Sequence, residues 1–156
     1  MLYVFDTSSL RAMGHFFPEQ FPSFWIKFDA MVEAGDVFSV REVRKELELQ
    51  SVHQHLLDWA KGHASFFRIP SADETEFVSR IFAVPKFLEM VRRKNILEGR
   101  PVADPFLVAA AQAHGGCVVT EEKERRGSAQ LPNVCAHYKV KCMNLEGFMS
   151  AEGMQY

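Results

Sequence analysis

Only three cysteines occur in the 156 residues, Cys117, Cys135 and Cys142, an odd number with no CxxC pair among them. That pattern supports neither a disulfide framework nor a zinc site, so the thiols are expected to be reduced and mostly buried. No apolar run reaches the roughly 18 to 20 residues that a membrane span requires. A strand-like segment begins at Leu2 with no basic stretch before it, so no secretory leader is expected and the chain reads as cytoplasmic, without a membrane partner. Charge of one sign is lacking too, since 18 Lys and Arg stand against 20 Asp and Glu. Overall basicity therefore cannot carry an interaction with nucleic acid, and any basic surface must be local. Neither a Walker motif nor GxGxxG is present, which removes the phosphate-cradling loops. The histidines are scattered, and His53-Gln54-His55 lacks the spacing that puts two ligands on one helix face.

What is present suits one soluble α/β domain. Nearly half of the residues are apolar, 47%, and 24% are charged, the balance of a chain that can bury a core. Strands are expected at residues 2–5, 37–40, 117–120 and 140–143. Helices are expected at 8–17, from Pro22 to Gly35, from Arg41, from Ser71 to about Ala83, at 86–97, from Asp104 to Gly115, and from Asn144 through Met149. Phe24, Trp25, Phe28, Met31 and Val32 fall at helical spacing, so this aromatic stripe is read as core rather than as a base-stacking surface. Ser71-Ala72-Asp73-Glu74 has the capping-box pattern, and Asp104-Pro105 suits an N-cap followed by the first helical residue. Alternation of strands and helices implies a central parallel sheet covered on both faces.

Chemistry is suggested by where the acids fall. Asp6 follows the strand-like Tyr3-Val4-Phe5, Asp104 opens a helix, and Glu121 and Glu122 follow Cys117-Val118-Val119-Thr120. A carboxylate at the mouth of a buried element is costly unless its charge is satisfied, so several of them suggest a shared cation. Each also has a plain structural reading: Asp6 as a turn or cap, Asp104 as a cap, and the two glutamates as part of a charged loop. After the second strand, Ser39-Val40-Arg41-Glu42 matches a capping box and gives Glu42 a structural task. Glu46, one turn further along, is then left as the candidate ligand.

At Phe5-Asp6-Thr7-Ser8-Ser9-Leu10, Arg44-Lys45-Glu46-Leu47, Ala103-Asp104-Pro105-Phe106-Leu107 and Val119-Thr120-Glu121-Glu122, the chain resembles the PIN-domain family, in a branch related to VapC-like toxins. The order of the four segments is more specific than any one of them. The resemblance implies an α/β/α sandwich with a central parallel sheet, forming a PIN-like nuclease domain over residues 1–150 with a short tail at 151–156. It also implies an acidic cluster binding Mg²⁺ or Mn²⁺ that hydrolyses RNA, commonly as the toxin of a toxin–antitoxin pair held inactive by a partner protein. Carried over by position, Asp6, Glu46, Asp104 and Glu122 match the four family acids. Thr7, Ser8 and Thr120 match the accompanying polar positions, and Glu121 can share the fourth acid's role. The family's Thr-x-Asp is Thr-x-Glu here, which bears on a second metal. A homodimer follows from the resemblance alone.

Local cations are the expected RNA contacts: Arg92, Arg93, Lys94 and Arg100 on one side of the site, and Lys123, Arg125 and Arg126 on the other. A catalytically silent PIN-like module that binds RNA or a partner is the alternative. A haloacid-dehalogenase-type phosphatase would want a second Asp two residues after Asp6, where Ser8 stands.

Overall fold

The computed structural model describes residues 1–50, 52–88 and 102–155. Strand β1 (Tyr3–Phe5) leads to helix α1 (Thr7–Met13) and helix α2 (Pro22–Ala34). Strand β2 (Val37–Val40), helix α3 (Arg41–Leu49), helix α4 (Gln54–Gly62), a 3₁₀ turn (Ala64–Phe66) and strand β3 (Phe67–Arg68) follow. Helix α5 (Ala72–Phe82) and helix α6 (Asp104–His114) precede strand β4 (Cys117–Val119), helix α7 (Leu131–His137), strand β5 (Lys141–Met143) and helix α8 (Leu145–Ala151).

The five strands form one parallel sheet in the order β3-β2-β1-β4-β5. Every residue of β1, β2 and β4 is buried, as a parallel strand covered on both faces must be. From β1 the chain builds outward through β2 to β3, then crosses back to place β4 on the other side of β1. The order therefore reverses between β1 and β4, the position where, in open parallel sheets, the loops beyond the carboxyl ends diverge.

Local signals explain most boundaries. Pro22 starts α2, and Gly35 ends it in the left-handed conformation (φ 81°) while the Asp36 N–H reaches back to the Met31 carbonyl at 2.9 Å. Ser71 and Glu74 form the expected capping box, with the Glu74 N–H on Ser71 Oγ at 3.2 Å and the Ser71 N–H on Glu74 Oε2 at 2.6 Å. Three expectations need correction. Helix α1 stops at Met13 rather than continuing to residue 17, because the chain turns there and Phe16 folds back onto Phe21 and Phe24. Asp104 is the first helical residue, and the N-cap is Ala103, which offers no side-chain cap. Ser39 does not cap α3, since its hydroxyl donates instead to the Phe5 carbonyl at 2.6 Å, across the β1–β2 pair. Residues 85–88 are helical, and the remainder of the helix expected at 86–97, with Arg92, Arg93, Lys94 and Arg100, lies outside the described residues.

An aromatic cluster fills one side of the sheet. Fully buried Phe28 meets Phe5 (5.4 Å between centroids), Phe24 (5.9 Å), Trp59 (5.7 Å) and Phe148 (6.3 Å). The α2 stripe is thus core, as its spacing implies. The last residues are tied in as well: Met154 is buried, and the Tyr3 hydroxyl donates to Glu152 Oε2 at 3.2 Å. Phe28→Ala is expected to cost about 3–5 kcal/mol of stability, whereas the substitution of exposed Ile26 by alanine on the same helix should stay within about 0.5 kcal/mol. Urea unfolding of both variants checks the assignment of the buried face.

Candidate metal centre

Asp6 directly follows β1 and caps α1, so its backbone position is fixed from both sides. Its N–H binds the Val119 carbonyl at 3.1 Å, and Ser9 Oγ donates to both the Asp6 (3.1 Å) and Val119 (2.9 Å) carbonyls. These bonds lock the ends of β1 and β4 together at the point where the strand order reverses.

The Asp6 carboxylate is 4% exposed. It accepts the Ser9 N–H at 2.8 Å and the Ser8 hydroxyl at 2.8–2.9 Å, and Thr120 Oγ1 donates to it as well. Both hydroxyls are themselves oriented by backbone amides of the loop after β4: Glu121 N–H reaches Ser8 Oγ at 2.9 Å, and Glu122 N–H reaches Thr120 Oγ1 at 3.1 Å. Each hydroxyl accepts from an amide and passes its own proton toward Asp6, an arrangement that polarises both. Burial nevertheless dominates, pushing the Asp6 pKa up to about 6; Thr120, Ser9 and Ser8 oppose the rise, and the charge of Asp104 adds to it.

Asp104 reaches this point because α6 packs on β1 and β4 and turns tightly at Gly115 into β4. The helix runs against the strand it precedes, so its first residue lies at the carboxyl ends of the strands. Glu46 comes from α3, is 5% exposed, and accepts the Thr7 hydroxyl at 2.9 Å. Thr7, the residue after Asp6, therefore ties the α3 acid to the start of α1.

Glu42 is not occupied by the cap that its sequence context suggests. Its Oε1 pairs with Arg41 at 3.0 Å, and its Oε2 is buried without a hydrogen-bond partner. The capping box conceals this second buried acid in the sequence; the i, i+4 spacing to Glu46 is the signal that marks it. Glu121 and Glu122 hold neighbouring helices in place. Glu121 Oε1 accepts the Leu145 N–H at 2.7 Å at the start of α8, and Glu122 Oε2 accepts the Leu131 N–H at 3.1 Å at the start of α7.

Among the described residues, no three His, Cys, Asp or Glu side chains gather tightly enough to cage an ion. Mg²⁺ does not need such a cage, because it keeps several waters and is commonly held by one or two carboxylates together with substrate phosphates. A buried carboxylate whose charge is under-compensated, with a second acid close enough to raise its pKa, fits a hard divalent cation. Asp6 and Asp104 are that pair.

A family model described as a domain of unknown function (DUF4411) matches residues 3–156. The chain belongs to this family. No curated protein matches the sequence. Among solved structures, the chain is similar to PAE2754 from Pyrobaculum aerophilum, at 16% identity and a TM-score of 0.44, covering 99% of this chain and 91% of that one. It is also similar to VapBC2 from Rickettsia felis, solved bound to a DNA fragment from their promoter, at 12% identity and a TM-score of 0.46, covering 92% of this chain and 98% of that one.

The Asp6 environment predicts a pH dependence. Its folded pKa of about 6 lies above the ordinary 3.8, so the folded state holds the proton more tightly than the unfolded one. The resulting stability is fully present below the unfolded pKa and is lost as pH rises through the folded one. In metal-free solution Asp6→Asn should therefore gain on the wild type between about pH 4 and pH 7, by on the order of 3 kcal/mol, and level off above that. Urea unfolding of both proteins across this range tests it; a difference independent of pH would contradict the buried, frustrated carboxylate.

Proposed function

We propose that this chain is a Mg²⁺- or Mn²⁺-dependent ribonuclease of PIN type, acting in the cytoplasm as the toxin of a toxin–antitoxin pair. The observation that carries the reading is the buried Asp6 carboxylate at the reversal of strand order, with Asp104 beside it and Glu46 joined to it through Thr7. The four-segment resemblance in the sequence supplies the reaction and the substrate class, and an antitoxin protein as partner.

Asp6 and Asp104 would hold the metal, with Glu46 and Glu122 as further ligands or positioning groups. A bound Mg²⁺ or Mn²⁺ supplies a water of lowered pKa and charge compensation at a phosphate oxygen. The protein's part is placement. Ser8, Ser9 and Thr120 fix both Asp6 oxygens, Thr7 aims Glu46, and the helix starts held by Glu121 and Glu122 set the position of the loop after β4. No serine, cysteine or histidine nucleophile is required. Exposed Lys123, Arg125 and Arg126 follow directly, and the loop that carries them is pinned by Asn133, which bonds both the N–H (3.1 Å) and the carbonyl (2.7 Å) of Arg125. They offer phosphate contacts with salt-sensitive, sequence-tolerant affinity.

One observation favours the silent binding module: Glu122 spends a carboxylate oxygen on the Leu131 N–H. Cleavage assays separate the two readings. Asp6→Asn and Asp104→Asn should each abolish Mn²⁺-dependent cleavage of single-stranded RNA while leaving the circular dichroism spectrum unchanged. Full activity in either variant removes that residue from the centre, and a wild type that never cuts RNA leaves the binding module. Thr7 separates the α3 acids, so Glu46→Gln should lose at least about tenfold in rate, equivalent to about 1.4 kcal/mol, and Glu42→Gln much less. The reverse order would place the metal nearer the unpartnered Glu42 oxygen.

A further inference from the structure

We infer that a cavity lined by Ser8 binds one nucleotide of the RNA strand, next to the phosphate to be cut; this rests on the ribonuclease reading. The cavity has a volume of about 320 Å³ and is lined by Ser8, Arg11, Ala12, His15, Val52 and His53. Positions 8, 11, 12 and 15 follow helical spacing, and Gly14 keeps right-handed helical dihedrals (φ −58°, ψ −21°), so one face of α1 and its extension forms a wall. Val52 and His53, from the link between α3 and α4, form the wall opposite.

Ser8 joins the cavity to the acidic centre, because the hydroxyl that donates to Asp6 belongs to a residue lining both. An occupant of the cavity is thus one side chain away from the carboxylate. Its size sits at the lower end of small-ligand pockets, which run from roughly 300 to 1,000 Å³. That suits a single nucleotide and excludes a folded RNA element.

The lining has the chemistry of single-strand recognition, a cation beside aromatic platforms. Arg11 is exposed and makes no ion pair among the described residues. His53 Nε2 and His15 Nδ1 lie 3.4 Å apart, a contact in which one ring must accept from the other. A phosphate oxygen seated against the pair can replace this contact by accepting from the ring nitrogen that carries the proton. His53 stands at the N-cap of α4 but makes no side-chain cap bond, so no helix depends on its ring. Phe17, 43% exposed, packs edge-on against His53 at 5.0 Å and His55 at 5.6 Å. The two histidine rings are near parallel, 6.1 Å apart. This ledge can stack a base, while Arg11 and His15 meet its phosphate.

Fluorescence anisotropy with a labelled single-stranded RNA oligonucleotide in EDTA reads binding without cleavage. Arg11→Ala and Phe17→Ala should each weaken binding about tenfold, Arg11→Lys should restore much of the loss, and the exposed control Lys61→Ala should bind like the wild type. Arg11→Ala should also reduce the salt slope by about 0.7. Wild-type affinity in both Arg11→Ala and Phe17→Ala overturns the assignment and leaves the cavity to a protein partner. So does loss of affinity in Arg11→Ala alone with full displacement by inorganic phosphate, which would mark a bare anion site. A wild type that binds RNA through Arg11 and Phe17 but never cuts it sustains this site and removes the ribonuclease reading. A protein that cuts RNA while both variants bind normally does the opposite.

Discussion

Asp6 carries a charge that the fold has largely taken out of water without supplying an opposite one among the described residues. Three donors soften the cost, the Ser9 amide and the Ser8 and Thr120 hydroxyls, yet burial and the field of Asp104 still raise its pKa to about 6. A carboxylate used only as a helix cap needs one donor from the helix and an outlet to solvent. Asp6 has the donor and lacks the outlet. On the proposed reading, a divalent cation would remove the remaining imbalance.

The sheet order sets where this imbalance sits. Crossing from β3 back to β4 puts the reversal of strand order between β1 and β4, and the Ser9 hydroxyl bridges the two strand ends at that place. Because α6 runs against β4, its first residue, Asp104, arrives at the same edge. Glu46 arrives from α3, which begins directly at the end of β2. Four elements distant in sequence meet because each begins or ends at one rim of the sheet.

Much of this was legible in the sequence and some was not. Strands β1, β2 and β4 are largely apolar runs, and the capping box at Ser71 and the stop at Gly35 are local signals that no tertiary contact overrides. Strand β3 has two residues and α4 buries only Leu56 and Ala60, too little periodic apolar content for either to stand out. Ser39 shows how tertiary context defeats a local rule: a buried serine facing the Phe5 carbonyl is worth more to the sheet than a cap is to α3. Its loss as a cap exposes Glu42 as a second buried acid. The helix-holding roles of Glu121 and Glu122 were hidden because their partners, Leu145 and Leu131, lie 24 and 9 residues away.

If the Asp6 charge is the constraint around which the site is built, a cation that binds only the folded protein must stabilise it through Asp6. Thermal melting of the wild type and Asp6→Asn with increasing Mn²⁺ measures this directly. Saturation at about a hundredfold over Kd corresponds to about 2.7 kcal/mol, or a rise in Tm of roughly 5 °C or more for a chain of this size. The account predicts that rise for the wild type and the loss of most of it in Asp6→Asn. A wild-type Tm indifferent to about 10 mM Mn²⁺, or an equal rise in both proteins, would contradict it.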